Sequence, residues 1–146
     1  MKAMRTSLLD LLELAFDKRS WHGANLMSAV RSVHAREARK SIAGRKTIWE
    51  QLLHAAYWKN VVITKLAGTS AWERKGSNWV KMPRPGSEKQ WKEDVQMLRG
   101  LHRRLREVVG QKAAKLNEKE VWLVQGAAFH DIYHAGQVKL LRRMMR

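Results

Sequence analysis

Two histidines stand one helical turn apart in the stretch His130-Asp131-Ile132-Tyr133-His134. At i and i+4 on a helix their imidazoles share a face and can converge on one ion. Leu123, Ala127 and Leu141 fall on that same face, so both rings are expected to point inward. A pair of this kind also occurs as two core or surface histidines bonded to neighbours or to water. A third histidine, His54, interrupts the apolar run Leu52-Leu53-His54-Ala55-Ala56-Tyr57-Trp58. Three neutral imidazoles make a site for zinc, nickel, iron or manganese. Three protein ligands with further positions open is the arrangement of a catalytic rather than a structural metal site. The chain has no cysteine, which excludes thiolate sites, disulfides and a cysteine nucleophile. Spacing alone leaves open whether the segment carrying His54 faces the segment carrying the pair.

The elements that must position these residues read as four helices. The first is expected from Arg5 to Val33, with Gly23 a candidate kink. The second begins at Thr47, with Glu50 as its capping-box partner, and stops at Gly68. The third opens at Ser87 with Gln90 in the box position and ends near Gly110. The fourth follows Asn117, with Glu120 in the box position, and runs to the end of the chain. Helices of roughly 20 to 29 residues span about 30–43 Å. Residues 69–86 hold Trp72, Trp79, Pro83, Pro85 and two glycines, and read as an ordered crossover loop between helices two and three. No strand pattern and no internal repeat appears. The expected fold is an all-α four-helix bundle, one domain over residues 1–146, with the site between facing helices.

At 146 residues, 45% of them hydrophobic, the chain has the size and composition of one packed domain. The apolar stretch after Lys2 and Arg5 superficially resembles a secretion signal. Asp10 and Glu13 interrupt it and no small-residue cleavage site follows, so it reads as an amphipathic helix. No run of 18 apolar residues occurs. A cytoplasmic protein with no membrane span is expected. The net charge of +16 comes from 29 Lys/Arg against 13 Asp/Glu, clustered at Arg99, Arg103, Arg104, Arg106, Lys112 and Lys115 and again at Lys139, Arg142, Arg143 and Arg146. Such charge points to polyanions. It comes with no groove-reading motif, so a solvated helix face is favoured over a nucleic-acid interface.

Several stretches together resemble the DinB-like/YfiT-like metal-binding superfamily, the damage-inducible family and not the polymerase of that name. They are Trp21-His22-Gly23 with Asn25-Leu26, the segment Thr47–Lys59, Trp91 with the stripe that follows it, and Gly126–Gln137. The last is the most specific, with Gly126 and Gly136 bracketing the histidine pair. The resemblance implies a four-helix bundle, often a homodimer. It also implies a divalent metal held by one histidine of the second helix and two of the fourth, here His54, His130 and His134. It further implies an enzyme of the metal-dependent thiol-transferase or isomerase kind, using a low-molecular-weight thiol; a hydrolase-like enzyme that activates a metal-bound water against a small-molecule substrate is the other enzymatic expectation. With no cysteine in the chain, any thiol comes from a cofactor or substrate. Members of that family are not usually this basic.

Four further residues are candidates for the surroundings of the metal. Glu50 could orient an imidazole or serve as a general base, although a capping role explains it slightly better. Gln137 and Tyr133 could face the same cavity. His22 could line its mouth or sit at a helix kink. Asp131, about 100° around the helix from His130, is expected to pair with a cation or a neighbouring helix. His34 and His102 read as surface residues. Trp49, Trp58, Trp91 and Trp122 lie in helical stripes and read as core or dimer packing. The competing function is a stress-related, non-enzymatic metal-containing binding protein whose basic face contacts nucleic acid or another polyanion.

Overall fold

The computed structural model describes the backbone of residues 2–112 and 114–146, with side chains from Ser7 onward. The described residues form six helices and no strand: α1 Lys2–Phe16, α2 Leu26–Val30, α3 Ala35–Ala38, α4 Ile48–Ala67, α5 Glu88–Lys112 and α6 Glu118–Met144. Each of the last three starts at a box read from the sequence. Thr47 Oγ1 accepts from Glu50 N, and Glu50 Oε2 accepts from Thr47 N. Ser87 and Gln90 exchange the same bonds before α5, and Asn117 and Glu120 do so before α6. These caps satisfy amide groups that the first turn leaves without partners. Gly68 ends α4 with a φ of 76°, a left-handed cap that suits glycine.

The N-terminal third departs from the expected single helix. The chain leaves helix after Phe16 and re-enters at Leu26. Gly23 does not kink a helix; with a φ of 99° it sits in a turn closed against Ser20. Asn25 then starts α2 by a capping box of its own with Ser28. A helix cannot run through a left-handed residue followed by a capping asparagine, and Gly23 and Asn25 together stop it.

Helix α4 packs against α5 and α6, and α1 packs against the same two helices. The core between them includes Leu12, Phe16, Leu52, Leu53, Leu98, Leu105, Val124 and Val138, all buried. Residues 69–87 carry no regular structure but are tied down. Asn60 on α4 donates to Ser70 Oγ at 3.0 Å and accepts from Ala71 N at 2.9 Å. Arg74 binds Asp94 on α5, which also accepts from Trp49 Nε1 at 2.7 Å. Val80 is buried, and Trp72 and Met82 pack on the core. This segment thereby carries Trp79 and the Asn78 carbonyl to the middle of α4. Among the described residues no helix is long and apolar enough to cross a membrane.

Candidate metal centre

His54 lies in the buried centre of α4, and His130 and His134 lie on adjacent turns of α6 where that helix crosses it. The fold brings the three together. One ligand-capable atom from each lies within 4.8 Å of the others. The Nε2 atoms of His130 and His134 are 3.1 Å apart. Two nitrogens on a tetrahedral zinc, each about 2.0–2.1 Å from the ion, stand about 3.3 Å apart, so little movement is needed to close on one.

The outer nitrogens are already used. His54 Nδ1 lies 3.0 Å from the Asn78 carbonyl oxygen, which can only accept, so Nδ1 carries the hydrogen. His134 Nδ1 donates to the Gln51 amide oxygen in a short contact. Both tautomers leave Nε2 with a bare lone pair, and that of His134 faces His130 Nε2. A metal-binding histidine requires this arrangement, with its second nitrogen tied to an acceptor that fixes the ring. Three neutral imidazoles, each with a ligand-capable nitrogen close to the other two, fit a divalent ion.

Electrostatics favour the same state. Burial pushes the His54 imidazole below its ordinary pKa, with Lys46 adding to the effect and the Asn78 bond opposing it. Burial and the neighbouring rings bring His130 down to about 4 and His134 down to about 3. All three are therefore neutral at pH 7 and available as ligands. The unfolded chain binds protons at the ordinary value of 6.5 while the folded chain does not. Stability of the metal-free protein is thus full above about pH 6.5 and declines as pH falls toward 4. Urea midpoints measured between pH 5 and 8 should rise with pH and then level off; a fall over that range contradicts the assignment.

Trp79 stacks on His54, with ring centroids 3.8 Å apart and planes within 8° of parallel. Beside His134 a cavity of about 240 Å³ opens to solvent, walled by Trp79, Gln51, Tyr133, Gln137, Arg45 and Lys46 among others. Tyr133 and Gln137 therefore reach the cavity, and the Tyr133 ring meets His134 edge-on at 5.1 Å. Glu50 contacts no imidazole; its carboxylate serves the Thr47 cap and Lys46, so the orienting role falls to Gln51, one residue on. His22 is exposed and bonds with Ser20. A Gln51→Ala variant is expected to bind metal about 10–100-fold more weakly, read by competition with a chromophoric chelator, because the His134 ring loses its anchor. Unchanged affinity contradicts that role.

A second polar cluster runs behind the triad. Asp131, about 100° around α6 from His130, pairs with Lys59 at 2.5 Å, the cation partner expected of it. Lys59 Nζ also lies 3.3 Å from His102 Nδ1, and His102 Nε2 donates to Glu13 at 2.8 Å. His102 is 4% exposed and stacked on Phe16 at 3.7 Å, which corrects its reading as a surface residue. Burial and the Lys59 charge hold it well below its ordinary pKa. His34 is at the surface, as expected, beside Glu88. Trp49 and Trp91 are core residues, whereas Trp58 and Trp122 are not: they are 39% and 69% exposed.

No family model, curated protein or solved structure matches the chain.

Proposed function

We propose that the chain is a DinB-like metalloprotein that holds one divalent ion through His54, His130 and His134. The long helices α1, α4, α5 and α6 act as its four-helix bundle, joined between α4 and α5 by a crossover segment. The convergence of three imidazoles with two outer nitrogens already anchored carries this reading, and the motif Gly126–Gln137 supports it. A divalent ion there supplies a Lewis acid that lowers the pKa of a coordinated thiol or water. The chain's own residues do the rest. Gln51 and the Asn78 carbonyl orient two rings, and Trp79 covers His54 from solvent. Tyr133 and Gln137 offer hydrogen-bonding groups to a small molecule in the cavity. The reading is therefore an enzyme of thiol transfer or hydrolysis, its thiol brought by a cofactor or substrate.

Cobalt(II) tests it. Titration with cobalt should give one equivalent of a visible-absorbing complex, and added 2-mercaptoethanol should give a sulfur-to-cobalt charge-transfer band. A complex whose spectrum ignores thiol contradicts an open position.

The net charge of +16 favours a second reading, a binding protein whose metal is structural and whose basic face meets a polyanion. Affinity for DNA or RNA should then fall steeply with salt. No shift of either at about 50 mM salt contradicts it. A homodimer belongs to the first reading, as does a location in the cytoplasm.

A further inference from the structure

Helix α6 buries one face: Val124, Ala127, Ala128, Asp131, His134, Ala135, Val138 and Leu141. Its opposite face is also apolar. Trp122 is 69% exposed, Phe129 58%, Tyr133 62%, Leu140 45% and Met144 42%. With about 100° per residue, these five, Glu118, Gly126 and Gly136 fall within an arc of about 80°, a straight stripe along the helix. Both glycines are exposed, and a Cβ at either would meet nothing within 4 Å. Mid-helix glycine costs about 0.5–1 kcal/mol and is used where another backbone comes close. Among the described residues nothing comes close here.

We propose that this face pairs, antiparallel, with the same face of a second copy of the chain, in the register centred on residue 131. An isologous two-fold contact demands that if residue i meets j, then j meets i. The stripe meets that demand in this register. Trp122 of one copy lies level with Leu140 of the other, Phe129 with Tyr133, and Gly126 with Gly136. Glu118, at the start of the helix, falls on the same flank as Arg143 of the other copy, an opposite-charge pair made twice by symmetry; both side chains are exposed. Trp122, Phe129 and Tyr133 offer roughly 300–500 Å² per copy, at about 150–250 Å² for a whole aromatic side chain. Leu140, Met144 and the polar flanks bring this toward the ~800 Å² per partner of a standard interface. Tyr133 and Leu140 also wall the cavity beside His134. The pairing therefore sets Phe129 and Trp122 of the second copy at the cavity mouth. This inference rests on the homodimer reading and adds its surface and register.

The absence of native cysteine makes crosslinking a clean test. Trp122→Cys and Leu140→Cys variants are each oxidised alone and as a mixture, beside analytical ultracentrifugation of the unmodified protein. In this register the two copies' residues 122 lie about 27 Å apart along the axis and cannot join, whereas residue 122 faces residue 140. The expected results are a dimer, disulfide only in the mixture, and about tenfold or weaker association for Trp122→Glu. Disulfide within either single variant overturns the register. A dimer that neither crosslinks nor responds to Trp122→Glu overturns the surface while leaving the homodimer standing. A monomer overturns both, and flotation with anionic phosphatidylserine vesicles, lost in Trp122→Glu, would assign the stripe to a lipid surface instead.

Discussion

Replacing Lys59 with methionine is expected to destabilise the protein by about 3–5 kcal/mol, the range for removing one partner of a buried ion pair. Lys59 is 1% exposed, and its ammonium meets Asp131, His102 and the face of Phe16. Without it, Asp131 is left buried with no cation beside it, and its Oδ1 already lacks a hydrogen-bond partner. Burial alone raises that carboxyl group's pKa, so the variant should take up a proton at Asp131 rather than keep the charge. Against a typical total of about 5–15 kcal/mol, the loss is large enough to lower the urea midpoint severely. A Lys59→Met, Asp131→Leu double variant should recover most of it, since apolar groups of similar volume replace a buried pair at little cost. A single variant that costs under about 1 kcal/mol contradicts the picture of a dry, coupled pair.

Zinc at a thousandfold excess over its dissociation constant is expected to add about 4 kcal/mol to the stability of the folded chain. The folded state presents three neutral imidazoles together; the unfolded chain scatters them over two distant segments. His130→Ala should remove nearly all of this gain. His130 is the best ligand to delete, because it is only partly buried and no anchoring acceptor is left without a partner, unlike the Gln51 oxygen behind His134. Thermal unfolding with and without zinc reads the effect. An equal shift in both proteins places the ion elsewhere, on surface groups or on the unfolded chain.

The features legible in the sequence were local. Thr47/Glu50, Ser87/Gln90 and Asn117/Glu120 announced three helix starts because a capping box is complete within four residues. The pair His130/His134 was legible because helical periodicity fixes which residues share a face. The break after Phe16 was not, since the apolar positions on either side keep helical spacing and only the Gly23 turn and the Asn25 cap interrupt them. Gln51 and Lys59 carry a sequence signal of their own. Each is a polar side chain among the buried residues of α4, and a buried polar group implies a partner. Their partners, His134 and Asp131, lie 83 and 72 residues away, so only the folded chain names them. The Asn78 carbonyl, 24 residues from His54, is a backbone group with no sequence signature. His102 looked like a surface residue because Arg103 and Arg104 follow it, yet those side chains turn outward while the imidazole turns toward Phe16.

Equilibrium dialysis against zinc and nickel, followed by elemental analysis, tests the triad most directly when wild type is run beside His54→Ala. The reading predicts one bound ion per chain in the wild type and almost none in the variant, with both proteins equally helical by circular dichroism. Equal metal content in the two, whether high or low, contradicts a centre built from His54, His130 and His134.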